Sequence, residues 1–525
     1  MCGVSCNDVT PRVTHRPMTS LFDQGPPPPC PAPFNMAGYV LGQADALGDK
    51  LALSIVTRDG AENWRYAQLS DAILGTATGL LAQGLVPGDR VLMRLGNQVD
   101  FPITYLAALA ADLIPVPTSS LLTAPEVTAI TAEITPALII AEPGVSLPDN
   151  TPCPVIGTET ARGWHALPPA SFGMGDPNRP GYIIYTSGTS GKPRAVTHAH
   201  RAIWARRMMW DGWYGLRPDD RLLHAGAFNW TYTLGTGLLD PWTIGATALI
   251  PGKGVTPAEL PQLIAEHYAT IFAAAPGIYR QMLRHAIPAL PHLRHGLSAG
   301  EKLSASTRDK WENTTGTAIF EAFGMSECST FVSGAPAHPA PGGTLGYPQP
   351  GRRVAVLGDT GPVPHNTPGT LAVSTRDPGL MLGYWSAPED TRARLQGEWF
   401  LTGDTAQMAP DGALTYLGRD DDMMNAGGYR VSPIEVETVL NAHPHITECA
   451  AVEVTVKADT TIIALFYVAE STINPQDLDI FAALTLARYK MPRIYTPVRA
   501  LPKGANGKLL RRQLRQTYEA PDGQT

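Results

Sequence analysis

The chain is short of charge. Only 17% of its 525 residues are Asp, Glu, Lys or Arg, while 44% are hydrophobic, and the formal net charge is -7. That leaves no basic excess for a nucleic-acid polyanion. Cysteine is scarce too. Six thiols (Cys2, Cys6, Cys30, Cys153, Cys328 and Cys449) are too sparse for a disulfide framework. Cys2 and Cys6 lack the second pair that a zinc spacing needs. Long apolar runs are missing: none approaches the roughly 20 residues of a membrane span. The opening "MCGVSCNDVTPRVTHRPMTS" has no apolar signal-peptide core. These absences predict a soluble protein of a reducing, cytoplasmic compartment, with no nucleic-acid partner, no membrane span and idle thiols.

What is abundant is glycine, with 51, and proline, with 49. Prolines cluster first in "DQGPPPPCPAP", which lacks donors and has fixed φ, so residues 1–33 are expected to be a disordered tail. Beyond it, strand and helix patterns alternate. "GDRVLMRL", "IPVPTS" and "ALIIAEP" read as strands, and "FPITYLAALAADL" and "TAPEVTAITAEI" as helices. Such alternation predicts an α/β fold of mostly parallel sheets. The texture changes near residue 420. There the triplet Asp420, Asp421, Asp422 precedes a Gly-Gly turn and a helix opened by Ser432-Pro433. The expected organisation is a large domain over 34–420 and a small α+β domain over 421–525.

The most informative stretch is "IIYTSGTSGKPRAVTHAHRA", starting at Ile183. A strand followed by a Gly/Ser/Thr loop with a lysine is a phosphate-cradling arrangement: backbone N–H groups and hydroxyls donate, and the lysine adds charge. It is not a Walker A loop. The first glycine position holds Thr186, and Pro193 follows the lysine.

The loop resembles the signature of AMP-forming adenylating enzymes, the superfamily of acyl- and aryl-CoA ligases, luciferases and peptide-synthetase adenylation domains. Further stretches match in that family's order: "EAFGMSE" at 321–327, "GTLGYPQPG" at 343–351, "FLTGDTAQMAPDGALTYLGRDDDMMNAGGYRVSPIEVE" at 400–437 and "PKGANGKLLRRQL" at 502–514. The resemblance covers about residues 34–515, and its nearest look is to benzoate-type and medium-chain acyl-CoA ligases.

It implies a carboxylate activated by ATP as acyl-AMP, then passed to coenzyme A, with Mg²⁺ accompanying ATP. A stand-alone enzyme that loads a carrier-protein thiol is the alternative, and a homodimer is the assembly considered. By the resemblance, Thr186, Ser187, Gly188, Thr189, Ser190, Gly191 and Lys192 wrap the phosphates. Glu327 holds Mg²⁺, Asp404 accepts from the ribose hydroxyls, and Arg419 and Arg430 meet ribose or phosphate. Gly300, Glu301 and Ser326 line the nucleotide site. Gly427 and Gly428 border CoA, Asp421 is the hinge, and Lys508 bridges the attacking carboxylate and the α-phosphate. The acid pocket falls to Phe228, Trp230, Ala299, Phe323 and Gly324. Bulky apolar groups beside small ones suit a compact hydrophobic acid. His198 and His200 have no third ligand at metal spacing and are read as structural.

Overall fold

The structure, a computed structural model, describes residues 19–186, 193–419, 422–426, 429–457, 460–486, 488, 490–504 and 509–519. The expected strands near the amino end form a parallel sheet. Ile114–Pro117, Arg90–Arg94, Leu138–Ala141 and Val155–Gly157 lie side by side in that order. The helix Asp100–Ala110 is buried along its whole length. A sequence apolar all round, such as "FPITYLAALA", demands that.

The second sheet has nine strands. Ile319–Met325, His295–Ala299, Ile271–Ala274, Arg221–Ala225, Thr247–Pro251 and Leu51–Thr57 run parallel in this spatial order. Antiparallel strands close both edges. In such sheets ligands bind beyond the carboxyl ends of the strands. Three segments expected in the site leave from those ends: the chain after Ala225, after Ala299 and after Met325.

One layer has no counterpart in the sequence reading. A seven-stranded antiparallel sheet is built from Leu21–Asp23, Arg353–Gly358, Gly369–Ser374, Trp399–Met408 and Leu395–Gln396, with Gly361–Pro362 and Leu414–Arg419 paired onto it. Its hairpins turn at glycines such as Gly412, at φ +93, a conformation glycine adopts without steric cost.

This sheet also corrects the expected tail. Leu21–Asp23 pairs antiparallel with Arg353–Gly358, and Arg353 Nε donates to Asp23 at 2.8 Å. Further on, Trp204 Nε1 donates to the Pro28 carbonyl at 2.9 Å. A proline run lacks donors but keeps every acceptor, and Leu21 and Phe22 supply apolar side chains that pack against the sheet's core. Residues 19–33 are therefore docked; 1–18 lie outside the described residues.

The carboxyl-terminal part is α+β, as expected. Glu448–Lys457 and Thr460–Val468 form an antiparallel pair, and Ile494–Pro497 runs parallel to the latter. The helix Pro433–Leu440 starts as read: the Ser432 hydroxyl accepts from the Glu435 N–H, with Pro433 in the first turn. A further helix spans Pro475–Ala483.

Candidate active site

The glycine loop hangs from a tight antiparallel pair. Thr186 ends the strand Pro180–Thr186 and lies opposite Arg194, which opens Arg194–Ala199. Ser187 through Lys192 lie outside the described residues. A third strand, Gly383–Tyr384, pairs with Arg194–Ala199, and Tyr384 reaches from there to Glu327. Its hydroxyl donates to Glu327 Oε1 at 2.7 Å. Burial, then the Glu327 charge, pushes the Tyr384 pKa up to about 12, so the phenol stays a donor. Arg194 sits over the Tyr384 ring at 4.9 Å. The carboxylate expected to hold a cation is thereby fixed beside the edge that carries the phosphate loop. Tyr384 was not singled out in the sequence. Its "GYW" context offered no titratable cluster to draw attention.

A second chain of contacts links the aromatic of "EAFGMSE" to the Thr-Gly-Asp segment. Phe323 packs on Tyr416 with ring centroids 5.4 Å apart. Tyr416 Oη donates to Asp404 Oδ1 at 3.1 Å. Asp404 and Arg419 are direct cross-strand partners, and their side chains approach at 3.4 Å. Asp404 is 3% exposed, so this aspartate is held rather than loose in a turn. Its neighbour Gly403 has φ +76, and a Cβ there would lie 2.7 Å from Arg394 Nη1. Tyr416 is a second residue that sequence reading missed.

The acid-pocket residues separate. Trp230 and Ala299 belong to one cluster, with Tyr232 packed edge-to-face on the Trp230 ring at 5.2 Å. Gly300 follows at φ +98, and a Cβ on it would stand 2.7 Å from Trp230 Cζ2. The indole therefore roofs the backbone turn at Gly300. Phe323 and Gly324 lie on the adjoining strand Ile319–Met325. Phe228 is placed elsewhere: it is 1% exposed and packs on Phe101, 5.3 Å away, in the core around the helix Asp100–Ala110. Its ring thus packs in a different cluster from that of Trp230 and Ala299. Glu301 approaches Arg280 at 3.9 Å. The Ser326 carbonyl accepts from His198 Nε2 at 2.7 Å.

Of the remaining expectations, Asp421, Gly427, Gly428 and Lys508 lie outside the described residues. So does the side chain of Arg430, whose backbone is on the strand Tyr429–Val431. Their flanks are visible. Leu510 N–H donates to the Pro502 carbonyl at 2.9 Å. Arg511 opens the helix Arg511–Glu519 and joins two acids. It pairs with Asp422 at 3.6 Å and with Glu437 at 2.7 Å. The residues next to the expected hinge are thus tied to those next to the expected catalytic lysine. Among the described residues no helix is long and apolar enough to cross a membrane.

Comparison with known proteins gives the same reading. The family described as AMP-binding enzyme matches residues 42–385, and the AMP-binding enzyme C-terminal domain matches 435–508. The chain is 29% identical to the benzoate–CoA ligase of Thauera aromatica, over 94% of this chain and 99% of that one. It is 28% identical to the human mitochondrial acyl-coenzyme A synthetase ACSM3, over 93% and 90%. Its structure is similar to that of the anthranilate CoA ligase AuaEII in complex with anthranoyl-AMP, with a TM-score of 0.83, 25% identity and coverage of 93% and 98%.

Proposed function

The chain belongs to the AMP-binding enzymes and is an AMP-forming acid–thiol ligase, and from that premise we propose how its own residues divide the work. The reaction activates an aromatic or short- to medium-chain monocarboxylic acid as acyl-AMP and transfers the acyl group to coenzyme A. In the first step a carboxylate oxygen attacks the α-phosphorus of ATP and pyrophosphate leaves. In the second the CoA thiolate attacks the acyl carbonyl and AMP leaves. Negative charge moves in both, so placed cations and donors are the tools that lower the barrier.

Thr186 to Lys192 cradle the β- and γ-phosphates at the strand edge. Asp404, held by Tyr416, accepts from the ribose hydroxyls, with Arg419 beside it and Arg430 toward the phosphates. The backbone at Gly300, Glu301 and Ser326 borders the nucleotide, and Phe323 borders the acid. Mg²⁺ suits Glu327: a carboxylate oxygen is a hard ligand, and the Tyr384 hydroxyl, donating to Oε1, orients the carboxylate. Bound there, the ion would neutralise phosphate charge. Lys508 supplies its charge between the acid and the α-phosphate. The domain from 421 onward carries it, pivots at Asp421 and brings Gly427 and Gly428 to CoA. A cytoplasmic setting, where ATP and CoA are both at hand, is part of this proposal.

One observation carries this reading. Residues 323–327, 384, 404, 416 and 419, far apart in sequence, form two linked contact chains beside the strands that bracket the glycine loop. The test is pyrophosphate release from ATP over a panel of about twenty carboxylic acids, with and without CoA. Acid-dependent release, with AMP and a CoA ester as products, is expected. Acyl-AMP that forms but never passes to CoA would refute the second step.

A further inference from the structure

The segment after Trp230, at Thr231, Leu234 and Gly235, and the turn after Met325, at Ser326 and Ser329, face a deeper space. Its lining includes Tyr105, Tyr182, His198, Arg206, Gly235 and Ser329. The free volume is about 20 Å³, room for one water-sized group, which needs roughly 10–15 Å³. An empty space in a core is normally apolar throughout; this one is mostly apolar but has several polar groups in its wall.

The wall is built around a buried cation. Arg206 donates from Nε to Asp240 Oδ1 at 2.9 Å and from Nη2 to Asp240 Oδ2 at 2.7 Å. Its Nη1 donates to the Ser329 hydroxyl. The guanidinium lies against the π-helical turn Thr233–Leu239 at Gly235, where a Cβ would stand 2.3 Å from Cζ. Gly235 is thus required by Arg206, and Asp240 neutralises the charge.

Two polar atoms remain unpaired. Tyr105 Oη and His198 Nδ1 are buried without a hydrogen-bond partner, on side chains 0% and 2% exposed. The proton on His198 is assigned by its other nitrogen. Nε2 faces the Ser326 carbonyl at 2.7 Å, a carbonyl only accepts, and so Nε2 carries the hydrogen. Burial pushes the His198 pKa down to about 4. The ring is neutral and Nδ1 is a bare lone pair. Stacking on Tyr182, at 4.9 Å and 19°, fixes its plane, and Tyr105 packs on the same tyrosine at 6.0 Å.

Both residues line the same cavity, and a bare acceptor and a phenol hydroxyl on one wall have a specific complement. A ligand hydroxyl donates to Nδ1 and accepts from Tyr105 Oη–H. A carboxylate or carbonyl oxygen would bring a lone pair against a lone pair. A hydrogen or methyl would leave both groups buried and unpaired, the situation that polar sites reject most strongly. We propose that this cavity is the far end of the acid site and that it selects a carboxylic acid bearing a distal hydroxyl group. The proposal rests on the ligase reading above and narrows its substrate class.

The test is kcat/KM, from pyrophosphate release, for matched pairs: benzoate with 3-hydroxybenzoate and 4-hydroxybenzoate, and hexanoate with 6-hydroxyhexanoate. At least one hydroxy acid should exceed its parent tenfold or more. Tyr105→Phe deletes the unpaired hydroxyl, and the hydroxy-to-parent ratio should then fall at least tenfold. A merely structural Tyr105 would slow both members alike and leave the ratio where it was. Calorimetric binding of the same pairs to the unaltered enzyme gives the preference without any variant. Parents that equal or beat every hydroxy acid, or a ratio unmoved by Tyr105→Phe, would overturn the proposal. No pyrophosphate release with any acid of the wider panel would instead refute the ligase reading and this inference with it.

Discussion

Trp230→Gly and Gly300→Ala, made singly and together, locate the acid. Gly300 sits at φ +98, and a Cβ on it would stand 2.7 Å from Trp230 Cζ2. Gly300→Ala therefore carries two costs. The backbone cost of an L-residue on the left-handed side is about 1–2 kcal/mol. The overlap with the indole adds roughly 1–3 kcal/mol, the usual range for overpacking. Trp230→Gly removes the second cost and leaves the first. In the double variant the two changes should then couple by about 1–3 kcal/mol, since they share one contact. At 1.4 kcal/mol per decade that is roughly fivefold to 150-fold in kcat/KM. Trp230→Gly by itself should lower kcat/KM for the best acid by a few kcal/mol of lost apolar contact, about 1.5–3 for a large side chain. It should raise that for a bulkier acid such as 2-naphthoate. Pyrophosphate release with benzoate and 2-naphthoate, beside thermal unfolding, measures both. A folded Trp230→Gly with an unchanged acid profile would show that the indole is only core. Equal damage from Gly300→Ala with and without Trp230 would show that the close approach does not govern the site.

Lys508→Ala should cut acyl-AMP formation by about two to three orders of magnitude, the range for one donor lost from a developing-charge site. Supplied with synthetic acyl-AMP it should still make the CoA ester, and equal loss of both half-reactions would contradict its role. Arg511→Ala should destabilise the carboxyl-terminal domain by about 3–5 kcal/mol, because Glu437 would stay buried without its cation. Its unfolding midpoint reports this, and an unchanged midpoint would refute it. A chain starting at Met18 should unfold at the full-length temperature, whereas one starting at Phe34 loses the Leu21–Asp23 pairing and the Pro28 contact and should unfold several degrees lower. Equal midpoints would show that the docked segment adds nothing. Acid should destabilise the fold through His198 and His295. Both fall from 6.5 to about 4 by burial, so the unfolded chain binds protons that the folded chain refuses. Stability is fully present above about pH 6.5 and is lost toward pH 4, at up to about 1.4 kcal/mol per pH unit for each ring. A denaturation midpoint flat between pH 7 and pH 5 would exclude this.

How much of this was legible in the sequence depended on how local the signal was. The parallel strands and the buried helix Asp100–Ala110 follow from apolar periodicity, which neighbouring residues carry by themselves. The Ser432-Pro433 helix start is equally local. The antiparallel sheet that closes on Leu21–Asp23 was not readable. Its first and second strands are more than 300 residues apart, and nothing in "SLFDQG" announces a partner at Arg353–Gly358. Motif residues such as Glu327 and Asp404 were found because titratable groups in a known pattern stand out. Tyr384 and Tyr416, which hold them, carry no pattern of their own. Positioning residues are defined by what lies across space, and that is what single-sequence reading lacks.

The same distinction decides how the pocket should be understood. In the sequence, Gly324 is read as room for a substrate, and Gly235 and Gly300 are equally small. In the structure each missing side chain is already answered. Arg206 Cζ would be 2.3 Å from a Cβ at Gly235, Trp230 2.7 Å from one at Gly300, and the Ser329 carbonyl 2.3 Å from one at Gly324. These glycines admit the protein's own atoms, not the ligand. Space for the acid is therefore smaller than a count of small residues suggests, and more polar, because the groups admitted include a guanidinium and a backbone carbonyl. Enlarging the site requires removing what the glycines accommodate, as Trp230→Gly does. Substituting the glycines themselves drives their partners inward, and so each such change should act on activity through the displaced partner, with the sign set by where that partner can go.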